Sequence, residues 1–136
     1  MPRPRRCALV LLVLVAALSA CAPSQSPILQ LEGVGMLTPT GRRLSEPEVR
    51  EALLRALYSK GWSLDAEEPG RIVATEFAGG HSATILVEYA AGRYSIRRQK
   101  TSPGLRYDPD RQIIHKRYNL WIDRLRVAIH AQIPTS

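Results

Sequence analysis

Few residues in this chain of 136 are of types that do chemistry, and no spacing links them into a set. A metal centre would draw on His81, His115 and His130, the only imidazoles, yet none stands at the separations that zinc ligands use. His81 follows the Gly79-Gly80 turn. His115 falls in the first turn of a predicted helix and His130 in its last, where a cation suits the helix dipole. No metal is expected. Hydrolytic chemistry would need a nucleophile with a positioned base, and neither Ser82 beside His81 nor Ser95 near Arg97 sits in a Gly-x-Ser-x-Gly frame. Glu67, Glu68, Glu76 and Glu88 are assigned to turns and strands with no cue for a raised pKa. Gly33-x-Gly35 and Gly79-Gly80 lack the lysine-bearing frame of a phosphate loop, so no cofactor is expected either. The chain reads as a non-enzyme.

The N-terminal segment carries a different kind of chemistry. Arg3, Arg5 and Arg6 precede an almost unbroken apolar run from Cys7 to Ala17, which falls short of the roughly 20 apolar residues a membrane-spanning helix needs. That layout is a secretory signal peptide. The following Leu18-Ser19-Ala20-Cys21 resembles the bacterial lipobox, in which a Leu, two small residues and a Cys direct diacylation of the thiol and cleavage before it. The resemblance implies a signal peptide over residues 1–20 and a mature chain of 116 residues whose only cysteine, Cys21, bears lipid. No disulfide then remains to stabilise the domain. Ala22 after the lipidated Cys resembles the signal for release to the outer membrane, which gives a protein facing the periplasm on acyl chains of the palmitate kind.

Charge changes meaning with this cleavage. The formal net charge of +7 falls to +4, because three arginines leave with the signal and 16 basic residues then face 12 acidic ones. A basic excess this small, without aromatics set between basic residues on one face, excludes nucleic acid as the partner. Anionic headgroups and cell-wall polymer stay within reach of it.

The folded part must position what remains. Residues 21–44 are read as a lipid-anchored linker, partly disordered: Ala22 to Pro27 is rich in Pro and Ser, and Ile28 to Leu31 fits an edge strand or a continued linker equally. The domain is assigned to residues 45–132 and a C-terminal tail to 133–136. Ser45-Glu46-Pro47-Glu48 is a capping box opening a helix over about Glu46 to Lys60, with Val49, Leu53, Ala56 and Leu57 on one stripe and Gly61 as its stop. Trp62 is expected to pack back on the last turn. Asp65 to Gly70 reads as an acidic turn. Arg71 to Phe77 and Ser82 to Tyr89 form a hairpin around Gly79-Gly80, and Arg93 to Lys100 adds a third strand. After an irregular connection over Thr101 to Arg111, a second helix runs from about Gln112 to Ala131 on the stripe Ile114, Tyr118, Trp121, Leu125 and Ile129. The expected fold class is α+β: a three-stranded antiparallel meander with two amphipathic helices on one face, in the order α-β-β-β-α.

Two polar clusters stand out on this frame. Arg97 with Ser95, Thr84 and Glu88 would face away from the core and form a candidate partner-binding surface, although a solvated strand face is the commoner role for such residues. His115, Asn119, Ile122 and Arg126 form a stripe beside the core stripe of the second helix. His115, Asn119 and Arg126 read as a structural polar cluster, with Asn119 expected to bond the backbone of the Leu105 to Asp110 loop.

Tyr94-Ser95-Ile96, Leu105-Arg106-Tyr107, the run Ile114-His115-Lys116-Arg117-Tyr118-Asn119-Leu120-Trp121-Ile122, and Leu125 resemble the pattern of small uncharacterised proteobacterial outer-membrane lipoproteins, over about Gly61 to Ile129. The resemblance implies an envelope lipoprotein with an α+β domain and transfers no catalytic residue. The expectation is a non-enzymatic binding or adaptor module, attached to the membrane through Cys21 and meeting an envelope protein. The alternative is a binder of a small ligand or cell-wall fragment, or an enzyme, with a pocket between the sheet and the C-terminal helix.

Overall fold

The computed structural model describes residues 23–136, so the expected signal peptide and the expected lipidation at Cys21 lie outside the described residues. In chain order the elements are β1 (Gln25–Pro27), β2 (Leu31–Gly35), α1 (Glu46–Ser59), β3 (Ser63–Glu68), β4 (Arg71–Ala78), β5 (His81–Ala90), β6 (Arg93–Thr101), a 3-10 turn (Pro103–Leu105), β7 (Ile113–His115) and α2 (Lys116–Ala131). No helix among the described residues is long and apolar enough to cross a membrane.

The expected three-stranded meander with two helices on one face, ordered α-β-β-β-α, is overturned. The protein is mostly β. Five antiparallel strands form the main sheet in the order β2-β6-β5-β4-β3, and β1 pairs with β7 in a second, two-stranded sheet. Three misread segments account for the difference. Ser63 to Glu68, which includes most of the supposed acidic turn, is an edge strand on β4, and only Pro69-Gly70 turns the chain. Every residue of β3 is exposed, so no apolar alternation betrays it, and its carboxylates suit an edge that must not recruit further strands. Leu31 to Gly35, inside the stretch assigned to the linker, forms the opposite edge on β6. Ile113 to His115, expected as helix, pairs with Gln25 to Pro27, and α2 therefore begins only at Lys116.

Where side-chain pattern and local chemistry agree, the elements fall as the sequence indicates. Ser45 Oγ accepts from the Glu48 amide (3.3 Å), and the Glu48 carboxylate accepts from the Ser45 amide (2.8 Å), so α1 opens on its capping box. Gly61, at φ +81°, ends it by taking a left-handed conformation open to glycine. The Trp62 amide then bonds Leu57 O at 3.0 Å, and the indole is buried. Gly79 and Gly80, both with positive φ, close the β4–β5 hairpin.

Alternation sorts the sheet into two faces. Ile72, Ala74, Ala83, Ile85, Val87, Tyr89, Tyr94 and Ile96 are buried and join one core with Val49, Leu53, Ala56 and Leu57 of α1 and Tyr118, Ile122, Leu125 and Ile129 of α2. The other face carries Val73, Thr75, Phe77, Thr84, Leu86, Glu88, Ser95 and Arg97, which are half-buried or exposed.

Candidate functional site

Arg97, Ser95, Thr84 and Glu88 do share the uncovered sheet face, and strand pairing sets Arg97 beside Leu86 and Ser95 beside Glu88. Each polar group has an internal partner. The Arg97 guanidinium grips both carboxylate oxygens of Glu32 on β2 (2.8 and 3.0 Å) and lies 3.8 Å from Glu88. That pairing holds the Glu32 carboxyl below its ordinary range. Ser95 Oγ accepts from the Gly33 amide at 2.9 Å, and the Thr84 and Thr75 hydroxyls bond at 2.7 Å. Arg97 and Ser95 thus stitch the edge strand β2 to β6. Sequence reading missed Glu32 because β2 carries no strand signal. The same face also bears apolar side chains, Val73 opposite Leu86 in the pairing and, beyond the Thr75–Thr84 pair, Phe77 at 74% exposure.

His115, Asn119 and Arg126 separate in function. His115 caps α2, its Nδ1 accepting from the Arg117 amide at 3.1 Å, and Arg126 pairs with Asp123 three residues earlier (2.7 Å). Asn119 is a clamp, though not on the loop expected. Its Oδ1 accepts from the Leu29 amide (2.8 Å), and its Nδ2 donates to Ser26 Oγ (3.0 Å) and to Pro27 O (2.8 Å). The Lys116 amide donates to Ser24 O and the Ile28 amide to Gln112 O, each at 2.9 Å, while the Gln25 side chain donates to Arg106 O (2.7 Å). The N-terminal segment is therefore fixed to the domain from Ser24 onward. Beside it Pro27, Ile28, Leu29 and Leu120 line an open, mainly apolar groove bordered by Lys116 and Arg117.

The histidines meet in part: the His81 and His115 rings stack at 6.5 Å between centroids, with Gly104 pressed against His81 so closely that a Cβ there would strike the ring. Stacked rings do not aim lone pairs at one point. Among the described residues, no three His, Cys, Asp or Glu side chains gather into a metal-holding group.

Most of the space between the sheet and α2 is filled by core side chains. At its rim a cleft of about 310 Å³ is lined by Lys60, Trp62, Glu76, Ala78, Trp121 and Arg124. Glu76 Oε2 is buried there without a partner, and burial raises the carboxyl's pKa. Both tryptophans are buried, so little of either indole is open to the cleft. Burial also pushes the Tyr94 phenol up to about 12 and the Tyr118 phenol higher still, which keeps both neutral in the core.

Comparison with protein-family models, curated proteins and solved structures finds no match to this chain.

Proposed function

We propose that this chain is a lipid-anchored lipoprotein of the cell envelope, held by Cys21 at the outer membrane facing the periplasm, and that it acts as a non-enzymatic binding or adaptor module. Support for the anchor comes from the lipobox-like Leu18-Ser19-Ala20-Cys21 behind a basic and apolar leader. The adaptor role rests on one observation. A five-stranded sheet leaves one face uncovered, where the Val73–Leu86 pair and, beyond the Thr75–Thr84 pair, the exposed Phe77 are apolar, with Arg97, Glu32 and Glu88 on the Leu86 side. Apolar centres with polar rims are the composition of protein-binding patches.

The test is a crosslinked pull-down of the lipidated protein from envelope membranes, with Cys21→Ser as the unanchored control and Phe77→Asp as the surface variant. Phe77 is the better probe than Arg97, whose reversal would set three carboxylates together and loosen β2. One envelope protein captured by the wild type and lost with Phe77→Asp supports the adaptor. Capture of abundant neighbours alone, unchanged by the substitution, refutes it. A second reading, a small-ligand site, draws on the Glu76 cleft, and it requires a bound ligand to be released by Glu76→Gln.

A further inference from the structure

We propose that the groove between the N-terminal segment and the start of α2 is a membrane-docking face, seated on the anionic phospholipid surface that receives the acyl chains of Cys21. The inference rests on the lipid-anchor reading and adds an orientation to it. Cys21 stands three positions before Ser24, so the chain between them reaches at most about 11 Å. Ser24 itself is bonded to the first residue of α2, and Gln25 and Ile28 are bonded to Arg106 and Gln112. An anchor this short, attached to a segment without slack, brings one end of the domain to the bilayer surface.

The chemistry of that end fits an interface. Ile28, Leu29 and Leu120 form its apolar floor, and Leu120 is 47% exposed. Lys116 and Arg117 are exposed along it, while the acid that also lines it, Asp123, is already matched by Arg126. Basic residues ringing a modest apolar patch are what an anionic headgroup layer attracts. The opposite end of the molecule, at the Ala91-Gly92 turn, lies a full strand of ten residues away along β5, roughly 30 Å.

The test uses the full lipidated protein in vesicles of phosphatidylethanolamine and phosphatidylglycerol carrying a nitroxide on the headgroup. With Cys21 acylated and Cys7 removed with the signal, a single introduced thiol takes the fluorophore cleanly. A label at Leu120→Cys should be quenched several-fold more than one at Ala91→Cys. Adding Lys116→Glu with Arg117→Glu, or replacing the lipid with phosphatidylcholine, should bring the Leu120 label down to the Ala91 level while the protein still floats with the vesicles. Equal quenching at the two labels in a protein that floats overturns the docking face and leaves the anchor standing. So does Leu120 quenching that ignores both charge reversal and neutral lipid. A protein that does not float with vesicles overturns anchor and docking face together.

Discussion

Asn119→Ala removes three hydrogen bonds at once, to the Leu29 amide, Ser26 Oγ and Pro27 O. Each contributes about 1 kcal/mol net, and the truncation also leaves the partly buried Leu29 amide short of its acceptor. Water reaches the Pro27 carbonyl, which lies at the exposed side of the clamp and loses least. The expected loss is therefore about 2–3 kcal/mol, equivalent to about 8–12 °C in the melting midpoint at this chain length. Thermal melting of the soluble Cys21→Ser form by circular dichroism reads the first quantity. Hydrogen exchange reads the mechanism: the Leu29 amide should lose protection first, with Ile28 and Lys116 following as the segment peels away. Ser26→Ala, which deletes one bond only, should cost about a third as much. A variant that melts with the wild type and keeps Leu29 protected would refute the clamp.

Three further outcomes follow from the geometry. Gly104→Ala drives a methyl into the His81 ring and should cost about 1–3 kcal/mol, and His81→Ala in the same chain should restore most of it in urea titrations. Glu76 is a carboxyl whose folded pKa lies above its unfolded value through burial, so its ionisation works against the fold as pH rises past the unfolded value. Glu76→Gln should accordingly raise the melting midpoint at neutral pH and leave it unchanged near pH 3; an equal gain at both would sink the argument. Glu48 is shifted the other way, down to about 2, by the Arg42 guanidinium first and the Ser45 amide next. Its contribution is complete above about 4.5 and disappears as pH falls toward 2, and a Glu48 carboxyl resonance titrating at an ordinary carboxylate pKa would contradict the cap.

How much of this was legible in the chain depended on whether the signal was local. The capping box at Ser45 and Glu48, the Gly61 stop and the Gly79-Gly80 hairpin are set by neighbours, and the elements around them fall where the residues indicate. Strands β1, β2 and β7 are short and depend on partners far along the chain, while β3 pairs with the adjacent β4 but presents only exposed residues, so no apolar alternation marks it. Pro27 reads as linker, yet it sits in a strand because β7 offers it an edge. The candidate site behaved likewise. Alternation correctly placed Arg97, Ser95, Thr84 and Glu88 on one face, but Glu32, which satisfies Arg97, is 65 residues distant. The polarity of Asn119 within an amphipathic helix marked it as a bonding residue, while its partners, some 90 residues earlier, left no trace in sequence.

Intact-mass analysis of the protein recovered from bacterial envelope membranes tests the anchored-module reading most directly. The expected species begins at Cys21, lacks residues 1–20, and carries the added mass of a diacylglyceryl group with a further acyl chain, all of it lost from Cys21→Ser. A chain that retains its leader, or one cleaved there with an unmodified Cys21 thiol, would contradict the anchor and with it the membrane-facing orientation of the domain.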